Sequence, residues 1–198
     1  MISNTSKDGT GTALIPIVDS DGHLQVDALS GAIEVRVVQA ADGGLGAYAA
    51  GDVISADDCC TTLAIPWLFT GMAKAAGGYG VIVGATLLNE TENQAVQYVL
   101  KLFNTTPTGE KRDNYPDTNP LAADISKWIG NIAFPSTVAG GATMATFTQA
   151  SPSTVGNLPL SYKCAAASTT ISGVLVTKTA YTQDAGDDIE IALQVVYL

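Results

Sequence analysis

A single histidine, His23, and three cysteines, Cys59, Cys60 and Cys164, are the chain's whole supply of imidazole and thiol. A nucleophile–histidine–acid triad needs that imidazole oriented by a carboxylate beside a positioned nucleophile. No Gly-x-Ser-x-Gly elbow stands near His23, which argues against this chemistry. Transition-metal sites need clusters of His and Cys, and these four residues are too few and too scattered to form one. A vicinal pair plus one distant cysteine is a poor disulfide framework. The thiols read instead as small buried side chains of a chain made in a reducing cytoplasm.

The carboxylates offer more candidates. Asp19-Ser20-Asp21-Gly22 begins like a calcium loop but lacks the closing glutamate, so it reads as a turn. Asp57-Asp58 and Asp187-Asp188 are adjacent pairs that also read as turn residues, although any two acids brought together by a fold could serve glycoside hydrolysis. Gly77-Gly78-Tyr79-Gly80 suggests a phosphate cradle, yet no Lys-Ser/Thr follows it and it feeds a strand. No catalytic, cofactor-binding or metal-ligating residue is assigned, no cofactor is expected, and the chain is not expected to be an enzyme.

Composition narrows the class. Of 198 residues, 46% are apolar and only 14% charged, against roughly 25% charged in an ordinary domain. Nineteen acidic against nine basic residues give a net charge of −10, and Lys111-Arg112 is the sole adjacent basic pair. Such a field repels phosphate, so nucleic acid is not an expected partner. Long uncharged apolar runs are missing, so no membrane span is expected, and the opening residues lack the pattern of a signal peptide.

The elements that would position any site are strands. Residues 79–104 carry two apolar runs around a polar stretch, 89–94, and predict a hairpin at the centre of an antiparallel sheet. Ile33, Val35 and Val37 alternate with Glu34, Arg36 and Val38. Leu63, Ile65, Trp67 and Phe69 share one parity, with Pro66 placing that strand at an edge or bulge. Residues 105–119 form a long polar connection of the kind that often makes contacts. It leads into a predicted helix with Asn119 as N-cap, Pro120 first, Gly130 at the end, and Leu121, Ile125, Trp128, Ile129 and Ile132 on one apolar face. A weak, Thr-rich strand follows at 142–149, Leu158, Leu160, Tyr162 and Cys164 then alternate with Pro159, Ser161 and Lys163, and residues 171–181 and 189–198 predict a final hairpin across the turn 183–187.

Residues 1–31 differ from the rest, with one apolar island at Leu14, Ile15, Pro16, Ile17 and Val18. Pro16 excludes a helix interior, leaving either an extended arm or a first edge strand. The expected fold is all-β: a two-sheet antiparallel sandwich, jelly-roll-like, spanning 32–198 with one short helix and an extended arm or edge segment at 1–31.

Two segments resemble a known family. Ile17-Val18-Asp19-Ser20-Asp21-Gly22-His23-Leu24-Gln25-Val26-Asp27 resembles a phrase near the start of structural proteins of tailed bacteriophages. Ile82-Val83-Gly84-Ala85-Thr86-Leu87-Leu88 and Val99-Leu100-Lys101-Leu102-Phe103-Asn104-Thr105-Thr106-Pro107 resemble the matching strand pair, and Trp128-Ile129-Gly130-Asn131-Ile132-Ala133-Phe134 fits as well. The best-fitting members are capsid decoration (cement) proteins. The resemblance implies a structural protein on the outer surface of the phage head, often a homotrimer, bound non-covalently to the major capsid protein. Under it, Leu14, Ile15, Pro16, Ile17 and Val18 are the candidate partner-binding residues. A tail or baseplate β-module and a carbohydrate-binding sandwich are the alternatives. Trp67 and Trp128 both fall on apolar faces, which favours core over sugar stacking.

Overall fold

The computed structural model describes residues 32–40, 47–56, 65–141, 145–153, 157–184 and 186–198, together with the backbone of residues 6–7 and 13–14. It divides into two compact units, Met1–Gly31 and Ala32–Leu198. In the first, β1 (Ser6–Lys7) pairs antiparallel with β2 (Ala13–Leu14), Ser6 opposite Leu14. Ile15, Pro16, Ile17 and Val18 lie outside the described residues, as do His23, the Asp19–Gly22 turn, Asp57, Asp58, Cys59 and Cys60.

The second unit is an all-β sandwich. In chain order its strands are β3 (Ile33–Ala40), β4 (Ala47–Tyr48), β5 (Val53–Ile54), β6 (Trp67–Phe69), β7 (Tyr79–Glu92), β8 (Tyr98–Phe103), β9 (Trp128–Phe134), β10 (Val138–Ala139), β11 (Ala145–Ala150), β12 (Leu160–Lys163), β13 (Ile171–Thr177), β14 (Tyr181–Thr182) and β15 (Asp188–Tyr197). One six-stranded sheet runs β10-β11-β7-β15-β3, with β12 also on β7. A five-stranded sheet runs β5-β13-β8-β9, with β6 also on β13. Every pairing between strands is antiparallel.

Alternation decides which face of each strand is buried. Ile189, Ile191, Leu193 and Val195 of β15 are all 0% exposed and meet Leu100, Leu102, Leu175 and Ile132 of the other sheet in one core. Trp67 closes that core and satisfies its indole N–H on the Ile54 carbonyl at 2.9 Å. The expected burial of Trp67 and the parity of residues 33–38 and 189–197 are both present. One buried polar cluster bridges the sheets: the Asn89 amide on β7 donates to the Tyr98 hydroxyl on β8 at 3.0 Å and exchanges hydrogen bonds with Gln183. Buried polar groups are tolerated because they are paired in this way.

Three expectations fail. Residues 79–104 are not a hairpin, because β7 belongs to the six-stranded sheet and β8 to the five-stranded one. β7 is 14 residues long and takes β15 along one edge and β11 and β12 along the other, so no edge is left for β8. Their apolar faces meet across the core instead. The predicted final hairpin fails the same way: β13 and β15 lie in different sheets, and β14 between them pairs with β4.

The predicted helix is also corrected. Only Ala122–Lys127 is helical, as a 3-10 turn whose N-cap is Leu121 rather than Asn119. Trp128–Phe134 is a strand paired with β8, Ile132 opposite Leu100. Trp128, Gly130, Ile132 and Phe134 also recur at a period of two, and a partner strand favours that reading. The supposed apolar helix face splits: Ile132 is 0% exposed, while Ile125 is 68% and Leu121 42% exposed.

Candidate functional site

The two sheets differ in what covers their outer faces. Over the five-stranded sheet lies the connection between β8 and β9, residues 104–127, above an apolar patch of Val53, Phe103, Val174 and Val176 with Trp128 packed against it. That cover is why all of β13 is buried, on both faces. A polar connection lying on an apolar sheet must satisfy its own backbone, and buried acids do this here.

Asp113, 0% exposed, accepts from the Tyr48 hydroxyl and from the Ser55 amide at 2.9 Å. Asp124, also 0% exposed, accepts from the Thr108 amide and hydroxyl, both at 2.9 Å, and from Lys127 at 2.9 Å. Burial pushes the Asp124 carboxyl up, but these donors outweigh it and hold it down at about 2. Arg112 grips Glu110 through Nε at 2.9 Å and Nη2 at 2.6 Å, lowering that carboxyl to about 2, and rests over the Tyr115 ring. Lys101 bridges Asp117 and the Asn119 carbonyl. Main-chain bonds add to this, Val53 donating to Tyr115 and Asn114 to Val53, each at 2.9 Å. The ionisable groups of this segment are spent on fastening it, so it presents a fixed relief.

The six-stranded sheet instead shows apolar side chains on its outer face. Val138 stands opposite Phe147, Phe147 opposite Leu88, Leu88 opposite Glu190, and Glu190 opposite Val38. Side chains directly opposite on antiparallel strands share one face, so these form a row across five strands. Val138 is 61%, Phe147 49% and Val38 50% exposed. Arg36, beside the row, binds Glu34 at 2.6 Å and also Glu190. Glu190 stands inside the row, so its apolar run is Val138, Phe147 and Leu88, with Val38 beyond the Arg36–Glu190 pair. Exposed apolar groups bordered by charge are the pattern of a docking face.

The sequence motifs resolve differently. Gly80 belongs to packing: a Cβ there would stand 2.2 Å from the Tyr162 hydroxyl, which donates to the Met72 carbonyl. Asp187 lies in the turn and accepts from Thr91 at 3.1 Å, whereas Asp188, expected in the turn, opens β15 opposite Ala40, and its amide donates to Glu90 at 3.0 Å. Cys164 is a free, buried thiol whose burial pushes its pKa up. Of the candidate docking residues, Leu14 is described only as backbone in β2 and the others not at all. Among the described residues no helix is long and apolar enough to cross a membrane.

Sequence reading did not find the row of Val138, Phe147, Leu88 and Val38. The available signal was Val38, an apolar residue in the exposed series begun by Glu34 and Arg36. Its neighbours come from strands far away in sequence. Comparison of the chain with protein-family models and with curated proteins finds no match.

Proposed function

We propose that this chain is a non-enzymatic structural protein of a virion, decorating the outer surface of a tailed-phage capsid through non-covalent contacts between capsid subunits. The observation that carries this reading is the largely apolar row from Val138 to Val38, interrupted by Glu190, on the outer face of the six-stranded sheet. Exposed apolar side chains spread over five neighbouring strands suit another protein surface better than they suit enclosing a substrate. The fastened segment 104–127 supports the same reading, since a preorganised relief loses little freedom on docking. The sequence resemblance supplies the partner class: the major capsid protein, with sister copies of this chain in a homotrimer. A closed cluster of subunits multiplies weak contacts by effective concentration. The apolar island Leu14–Val18 would then dock as a second contact.

The test is co-sedimentation with expanded, undecorated heads, titrated to saturation. Saturable binding at a copy number set by the capsid lattice is expected. Absence of binding, with the protein recovered on isolated tails, overturns the head assignment. Deleting residues 1–18 should abolish binding while the sandwich stays folded, and undiminished binding removes the island from the interface.

A further inference from the structure

We infer that a groove for a neutral oligosaccharide, a second binding site, runs from the outer side of the five-stranded sheet to the edge of the sandwich where β9 meets β7 and β12, separate from the apolar row. Two shallow depressions of about 240 Å³ and about 310 Å³ adjoin there, sharing Asn104 as a common wall. Their linings differ in chemistry. The first is walled by hydroxyls, Thr105, Thr106, Thr170 and Ser172 among them, beside the exposed Leu68. The second is lined by three aromatic side chains, the accessible Tyr79 and Trp128 and the buried Tyr162. Tyr79 is 51% exposed, and Trp128 is half-buried with Phe103 edge-on against it at 5.1 Å.

Charge narrows the ligand. Among the described lining residues of both depressions there is no carboxylate, and the single cation, Lys163, sits 4.8 Å from the centre of the Tyr79 ring. A cationic ligand finds no counter-charge there, and an anionic one must enter the field of a chain with net charge −10. An uncharged ligand rich in hydroxyls, with apolar C–H faces, matches both halves. Aromatic rings take the C–H face, and serine, threonine and asparagine exchange hydrogen bonds with the rim.

A second observation points the same way. Ser172, on the floor of the first depression, is 2% exposed, and its hydroxyl has no hydrogen-bond partner among the described residues. Buried polar groups in folded proteins are overwhelmingly paired, so an orphan at the floor of a hydroxyl-lined groove marks a place where a ligand's hydroxyl belongs. Its neighbours across the sheet, Leu68 and Phe103, hold it in place without satisfying it.

The experiment titrates the intact chain with maltohexaose, cellohexaose, mannohexaose and chitohexaose up to about 10 mM, reading tryptophan emission and heat. Trp67 is buried and hydrogen-bonded, so an emission change reports Trp128. At least one sugar is expected to saturate with a dissociation constant of about 0.1–1 mM. Trp128→Ala should weaken that binding about tenfold. Thr106→Glu, at an exposed position that leaves the core untouched, should abolish it. Ser172→Ala should weaken it about threefold without lowering the melting temperature, which separates a ligand contact from a structural one. Failure of all four sugars to saturate overturns the inference. So does binding that survives Thr106→Glu, whether or not Trp128→Ala folds.

Discussion

The phenol of Tyr48 donates to the carboxylate of Asp113, 2.9 Å from Oδ1 and 2.8 Å from Oδ2, across 65 positions of sequence. The ring of Tyr48 in turn stacks on Tyr181 at 5.1 Å. This one contact joins the β8–β9 connection to the small β4–β14 ribbon. Asp113→Ala strips an acceptor from both the phenol and the Ser55 amide, and should cost about 3 kcal/mol. Tyr48→Phe keeps the ring stack, leaves the carboxylate underpaired and should cost about 2 kcal/mol. Urea unfolding of both variants measures this, and near-neutral values would mean that the connection is not held through Asp113.

Acid should loosen the same region. Glu110 and Asp124 are both held at about 2, below their ordinary values. The unfolded chain therefore binds more protons than the native one once the pH drops into the carboxylate range. Their stabilisation is complete above about pH 5 and is lost as the pH falls toward about 2. The urea midpoint should fall across that window, and Glu110→Gln combined with Asp124→Asn should flatten the fall. An unchanged slope in the double variant would assign the acid sensitivity to other groups.

Two glycines of β7 should respond unequally to alanine. At Gly80 the new methyl would meet the Tyr162 ring and hydroxyl, a buried group already committed to Met72, so Gly80→Ala should cost about 2 kcal/mol or more. At Gly84 the obstacle is the tip of the Gln194 side chain, which can swing aside, so the cost should stay below about 1 kcal/mol. Calorimetric melting of the pair decides it, and equal losses would show that β7 resists any added volume.

The apolar row should matter to binding and not to folding. Phe147→Asp and Val38→Lys replace exposed side chains, so stability should move by no more than about 0.5 kcal/mol. Association with undecorated heads should weaken at least tenfold for either change if the row is the docking face. Unaltered association would move the interface elsewhere on the protein.

Strand parity was legible in the sequence and strand partnership was not. Ile189 to Val195 and Ile33 to Val37 announce themselves because one face meets core and the other does not, a local matter of period two. Whether β7 turns back onto β8 or crosses to another sheet is decided by who occupies β7's edges, and those occupants, β11, β12 and β15, come much later in the chain. The Trp128–Phe134 stretch failed for a related reason, since its apolar residues fit two periods and only β8 alongside chooses between them. The exposed row and the hydroxyl-lined depression were invisible for the same cause. Each is assembled from strands distant in sequence, and only Val38 and the aromatic Tyr79 and Trp128 stood out locally.

The position of β15 between β3 and β7 has a kinetic meaning. Arg36 and Glu190, 154 positions apart, meet on one face of one sheet, and Leu193 lies between Val35 on β3 and Ala85 on β7. Until residues 188–197 arrive, β3 and the β7–β11–β12 cluster are two open edges with no common neighbour. Closing such a long loop is entropically slow, and folds dominated by distant pairings fold slowly. On the ribosome the six-stranded sheet must therefore wait for its central strand, and the nascent chain carries exposed strand edges throughout that interval.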